Sequence, residues 1–159
     1  MQNSGAVYLN RERLSEIESE LNDLRFNKRK MIAEKIAEAR AHGDISENAE
    51  YDAAREEQSL LEIKIAKLEN LLSRVKIIDP SDMPEGQVYI LSSVKVKDLT
   101  HNEEINMTMV SPEEADIEFD KIAVTSPVGQ ALLGKKVGDI VEVSVGNSKI
   151  EYQILEINK

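Results

Sequence analysis

The chain has 159 residues, no cysteine and a formal net charge of −10. Disulfides and thiolate metal sites are thereby excluded, and general binding to duplex DNA, which needs a basic face to displace counterions, is disfavoured. The acid excess is uneven: residues 1–78 carry 13 basic and 15 acidic side chains, whereas 79–159 carry 7 and 15.

The first half reads as two long helices. Leu14, Ile17, Leu21 and Leu24 recur at heptad spacing, after which the pattern slips through Lys28, Met31 and Ile32 to Ile36 and Ala39. In the second helix Tyr51, Ala54, Gln58, Leu61, Ile65, Leu68, Leu72 and Val75 form an unbroken heptad stripe, the period of a coiled-coil seam. Glycine and proline are absent from 11–42 and 44–79, so Gly43 is the natural turn. Folding back there pairs Leu14 with Val75, Ile17 with Leu72, Leu21 with Leu68 and Leu24 with Ile65. Weaker, partly polar layers follow, Lys28 with Leu61 and Met31 with Gln58. About 30 residues at ~1.5 Å each project the turn roughly 45 Å from the base.

"DPSDMPEG" (79–86) ends the helical pattern with two prolines and a glycine and reads as a linker. Beyond it, "QVYILSSVKVKDL", "EEINMTMV", "DKIAVT", "DIVEVSV" and "KIEYQILEI" are short, β-branched and alternating, which predicts an antiparallel sheet, with Gly146-Asn147 as a tight hairpin. "SPVGQALLG" predicts one short helix, with Ser126 as N-cap, Pro127 in its first turn and Gly134 at its end. The expected fold class is α+β: a helical hairpin at 1–78 with an acidic tip at 43–50, a linker at 79–86, and a small α+β domain at 87–159. No apolar run approaches the roughly 20 residues of a membrane span. The opening "MQNSGAVYLNRER" has no apolar signal-peptide core, so a soluble, cytoplasmic protein with no membrane partner is expected.

The turn carries the most pointed chemistry. "HGDISENAEYDAAREE" (42–57) packs five acids between Asp44 and Glu56. D-x-x-E at a helix start is a capping-box arrangement, Asp44 as N-cap and Glu47 reaching back, and acids in a first turn complement the helix dipole. Glu50, Asp52, Glu56 and Glu57 read as a solvated face. A cap, however, does not need a long projection beneath it. Carboxylates at an outermost point also suit a hard cation such as Mg²⁺, which accepts one or two protein oxygens and keeps waters or phosphates for the rest. Two side chains are too few for a tight site, so a partner would complete it.

"IAEARAHGDISENAEYDAAREEQ" resembles the tip region of the Gre family of bacterial transcript cleavage factors, in particular its A-type elongation factors. "LTHNEEINMTMVSPEEADIEFDKIAVTSPVGQALLGKKVGDIVEV" is similar to the family's C-terminal domain. The resemblance spans about residues 8–157 and rests on "GDISENAEY", "EAD" and "SPVGQALLGK" in that order. It implies a coiled coil that enters the secondary channel of RNA polymerase and a C-terminal domain of FK506-binding-protein-like fold that docks at the channel rim. It further implies an accessory factor, not an enzyme by itself, that stimulates the polymerase's own hydrolysis of the nascent RNA 3′ end in backtracked complexes. On the family's pattern Asp44 helps hold the polymerase's second, weakly bound Mg²⁺, and Glu47 orients or deprotonates the attacking water; both acids stand at that shared metal. Arg55 matches a family position near the tip and is a better candidate than the 25–30 run for contact with the extruded RNA, and Ser126 and Pro127 fall in the polymerase-docking region. No sequence-specific DNA recognition is implied. Arg13, and Ser92-Ser93, stand where the family commonly has a glycine and Gly-Ser. The alternative is a regulator that occupies the same channel without stimulating cleavage; "DISEN" keeps both acids, which disfavours it.

The basic run "RFNKRK" (25–30) offers either solvated charge or contacts to RNA phosphates, and Lys28 on the seam would snorkel. His42 and His101 are too isolated for a metal site. A prolyl isomerase would need an aromatic-lined pocket, for which the second half offers only Tyr89, Phe119 and Tyr152.

Overall fold

The computed structural model describes residues 5–43 and 48–159. The chain divides into two compact units. One is Glu12–Val75; in the other, the segment up to Arg11 joins Lys76–Lys159.

The helical unit is an antiparallel hairpin. Its first arm is helix α1 (Arg11–Asn22), a π-helical segment at Asp23–Lys28 and helix α2 (Arg29–Ala41). Its second arm is helix α3 (Ala49–Ser73). Leu21, Leu24, Ile32, Ile36, Ala54, Leu61 and Ile65 form the buried seam, with Tyr51, Leu68 and Leu72 packed against it. Each Leu or Ile among them contributes about 1.5–3 kcal/mol when fully buried.

One expectation is corrected here. Lys28 and Met31 do not continue the seam: both are exposed, and Ile32, Ile36 and Ala39 are buried instead. The π-helical segment accommodates one extra residue, which moves every later buried position of this arm one step along the chain. Ion pairs flank the seam at Arg25–Glu69 (3.2 Å), Arg29–Glu62 (2.7 Å), Lys35–Glu57 (3.2 Å) and Lys64–Glu20 (3.3 Å). They are half exposed, and pairs of that kind add ~0–1 kcal/mol each. Their value lies in fixing which faces of the two arms meet.

The second unit holds two sheets. Strand β1 (Val7–Leu9) pairs with β2 (Val75–Ile77). Val7 and Leu9 are fully buried, and the Tyr8 N–H donates to the hydroxyl of buried Ser111 (3.0 Å). The larger sheet contains β3 (Ser93–Asp98), β4 (Glu103–Val110), β5 (Lys121–Ala123), β6 (Ile140–Val145) and β7 (Ser148–Asn158), in the order β5-β4-β3-β7-β6. Three of its four pairings are antiparallel, as the alternation predicts. The fourth, β4 with β5, is parallel and three residues deep, too short to leave a pattern in the sequence. Gly146 (φ +61°) takes the first loop position of the β6–β7 hairpin, the place where a two-residue loop of type II′ wants glycine.

Helix α4 (Pro127–Leu132) covers the sheet and buries Leu132 against Val94, Val96, Met107, Met109, Val141, Val143 and Ile154. It sits so close to the preceding backbone that a Cβ on Gly129 would stand 2.2 Å from the Ala123 carbonyl oxygen. Only glycine fits there. No described helix is long and apolar enough to cross a membrane.

Candidate functional site at the hairpin end

The connection between the two arms is flanked by the C-cap of α2 and the N-cap of α3. Helix α2 stops at Ala41. His42 is its C-cap, and Gly43 follows at φ +119°, a backbone state that L side chains rarely adopt. On the other side α3 begins at Ala49 with Asn48 as N-cap. Asp44 and Glu47, the acids singled out from the sequence, lie outside the described residues.

The capping box expected from D-x-x-E does not serve α3. Its orphan N–H groups are taken by Asn48, whose Oδ1 accepts from the N–H of Glu50 (3.0 Å) and of Tyr51 (3.2 Å). Asn and Asp are about equally good caps, so residue type alone does not say which of several candidates starts the helix. The capping of α3 leaves Asp44 and Glu47 without that duty.

His42 Nδ1 lies 3.2 Å from Glu50 Oε2. The Arg40 guanidinium lies 5.7 Å from the centre of the Tyr51 ring. Hydrogen bonding to Arg40, with the charges of Arg40 and Arg55, holds the Tyr51 hydroxyl below the usual phenol range against the opposing effect of partial burial. Arg55 is exposed one turn along α3 from Tyr51. The expected basic residue therefore does not stand alone. Exposed Arg40 and half-buried Tyr51 join it in a cation–aromatic cluster, which sequence reading missed because Arg40 and Tyr51 lie on different arms.

Farther along the hairpin, Arg29 of the basic run is committed to Glu62 through two hydrogen bonds (3.0 and 2.7 Å), which hold the Glu62 carboxyl below the usual carboxylate range. Arg25 is paired with Glu69. Half of the run's four cations thus bridge the arms.

Among the described residues no group of three or more His, Asp or Glu side chains is placed to hold a metal ion. The donor set at the connection, two carboxylates, has the oxygen chemistry that Mg²⁺ accepts and is too small to bind it tightly without added ligands.

In the second unit, Ser126 Oγ accepts from the Gly129 N–H (3.1 Å) and bonds the Ala123 carbonyl (2.7 Å). Its hydroxyl is occupied within the fold, whereas Pro127 beside it is exposed. Tyr89, Phe119 and Tyr152 do not line one pocket: Tyr152 is in the core and Phe119 is 69% exposed. Tyr89 instead borders an apolar cleft of about 490 Å³ with Tyr8, Val88, Ile90, Val124 and Leu133. His101 is tied to Asp98 (2.8 Å) in the β3–β4 turn.

Two family models match the chain. The one described as "Transcription elongation factor, N-terminal" covers residues 7–77, and the one described as "Transcription elongation factor, GreA/GreB, C-term" covers 83–159. The chain is 55% identical over 152 residues to the transcription elongation factor GreA of Chlorobium phaeobacteroides (strain DSM 266), covering 95% of this chain and 96% of that protein. It is 52% identical over 155 residues to that of Chlorobaculum tepidum, covering 97% and 98%. Among solved structures, the GreA factor homolog 1 protein of Thermus thermophilus aligns over 97% of this chain and 99% of its own, at 27% identity and a TM-score of 0.44.

Proposed function

The chain belongs to the GreA/GreB family of transcription elongation factors, as a GreA-type member, and from that premise we propose that it binds bacterial RNA polymerase and rescues backtracked, arrested complexes. The second unit docks on the polymerase. The helical hairpin enters the secondary channel, and the acids of its end stimulate the polymerase's own cleavage of the nascent RNA 3′ end. The factor is accessory to that hydrolysis and not an enzyme alone.

The observation that carries this reading is the division of labour at the hairpin end. Asn48 caps α3, so the start of that helix does not depend on the carboxylates of Asp44 and Glu47. In the proposed complex, Asp44 would share an Mg²⁺ with the polymerase and Glu47 would orient or deprotonate the attacking water. Such an ion supplies charge stabilisation to the phosphoryl oxygens. Arg55, with Arg40 and the Tyr51 ring, offers the extruded strand a cationic contact to phosphate and an aromatic face for a base. Pro127 and the surface around Ser126 supply docking contacts, and no sequence-specific contact to DNA is required.

The test adds the protein to stalled polymerase complexes carrying 3′-labelled RNA. Release of a short labelled fragment and resumed elongation are expected. Binding without fragment release would instead make the protein a non-cleaving occupant of the channel.

A further inference from the structure

We infer that Asn48 is the positioning residue of the hairpin end, a single amide that ties the last turn of α2 to the first turn of α3 and so fixes the spacing of the two helix ends between which the chain carries Asp44 and Glu47. The inference rests on the proposed cleavage function and adds a residue to it.

Helix ends leave backbone groups without partners: carbonyls at the end of α2 and N–H groups at the start of α3. Asn is short and carries an acceptor and a donor on one rigid plane. Here both are used, on opposite arms. Oδ1 accepts from the Glu50 and Tyr51 N–H groups, and Nδ2 donates to the Ala39 carbonyl at 2.6 Å. Two donors on one side and a carbonyl on the other fix the orientation of the amide without ambiguity. Other described ties near the end, His42–Glu50, Lys35–Glu57 and Arg40 with the Tyr51 ring, join side chains to each other and not to backbone, and the two exposed ion pairs among them hold position weakly. Asn48 is partly buried and grips backbone on both arms.

Chemistry at the end of a long arm is sensitive to small displacements, and a 1 Å misplacement can cost on the order of 100-fold in rate. Asn48 matters through that geometry and touches no reacting atom.

Asn48→Asp and Asn48→Ser separate the two jobs of this side chain. Both keep an N-cap oxygen, and both lose the amide N–H that reaches the Ala39 carbonyl while the oxygen caps α3; one adds charge and the other does not. With full-length protein and backtracked complexes, both variants should fold and half-saturate cleavage at the parental concentration. Their maximal cleavage rate should fall roughly 10- to 100-fold. Parental maximal rate in either variant overturns the inference, as does a loss that appears only in the half-saturating concentration. Asp44→Asn is measured alongside. If it cleaves like the parent, the proposed function itself fails. If it is inactive while Asn48→Asp and Asn48→Ser are unimpaired, only the role of Asn48 fails.

Discussion

Leu24 and Ile32 are successive members of the buried seam on the first arm, although an unbroken heptad would continue from Leu24 through 28 to 31. The π-helical segment between them absorbs one residue too many. Deleting an exposed residue there should convert the segment to ordinary α-helix and leave the seam intact. Phe26, 70% exposed, is the residue to remove. The unfolding free energy should change by less than about 1 kcal/mol, since no buried contact is lost. A loss of several kcal/mol in denaturant titration would mean that the bulge supports the hairpin.

Leu91 sits at φ +72° in the turn closed by the Ser92 N–H to the Tyr89 carbonyl (3.0 Å). A left-handed backbone costs an L residue roughly 1–2 kcal/mol. Leu91→Ala and Leu91→Gly both remove the side chain, and only the second removes the strain. The glycine variant should therefore be the more stable of the two by about 1 kcal/mol, read from urea midpoints. Equal midpoints would show that the turn is unstrained.

Asp98 is buried at the β3–β4 turn and accepts from the backbone N–H groups of Thr100 (2.9 Å) and His101 (3.0 Å). Burial disfavours its charge, yet the hydrogen bonds from His101 and Thr100 outweigh it and hold the carboxyl below its ordinary value of 3.8. A depressed folded-state pKa contributes stability above the unfolded value and loses it as pH falls through the folded one. The parent should thus be more stable than Asp98→Asn near pH 7, with the gap closing only below the ordinary carboxylate range. Thermal melts from pH 7 to pH 3 measure this. A gap that does not change with pH would place the contribution in shape and not in charge.

The second unit includes strand β1 from the other end of the chain, with Val7 and Leu9 fully buried. A fragment of 79–159 lacks both β1 and β2. A chain in which residues 5–11 are joined by a flexible linker to 76–159 should fold cooperatively, compete with the full protein for polymerase and stimulate no cleavage. The fragment 79–159 should be less stable by several kcal/mol, since two large apolar side chains lose their burial. Cleavage by the linked chain would remove the chemistry from the hairpin.

The long-period features of this fold were legible. The heptad stripe as far as Leu72, the lone Gly43 between two glycine-free runs, and the Ser126-Pro127 start of α4 each follow from local chemistry, whereas Val75, read as the stripe's last member, is taken into β2 by its pairing with β1. What was not legible depends on partners far away in sequence. The pairing of β1 with β2 joins segments separated by the whole hairpin. The slip at Lys28 and Met31 showed as a break in rhythm, yet only the π-helical segment explains its direction. At the site, Asp44 and Asn48 compete as caps on equal propensity. It takes the observed start of α3 to assign the cap to Asn48, and the cluster of Arg40, Tyr51 and Arg55 exists only once the arms fold together.

The most direct measurement is the cleavage rate of Asp44→Asn on backtracked complexes at saturating factor. Asn48 caps α3, so the substitution should leave the melting curve and polymerase binding unchanged while removing the charge that a shared Mg²⁺ requires. A loss of roughly 100-fold or more, the scale seen when one preorganised electrostatic contact to a transition state is removed, is the predicted result. Parental cleavage by a folded, bound Asp44→Asn protein would contradict the account.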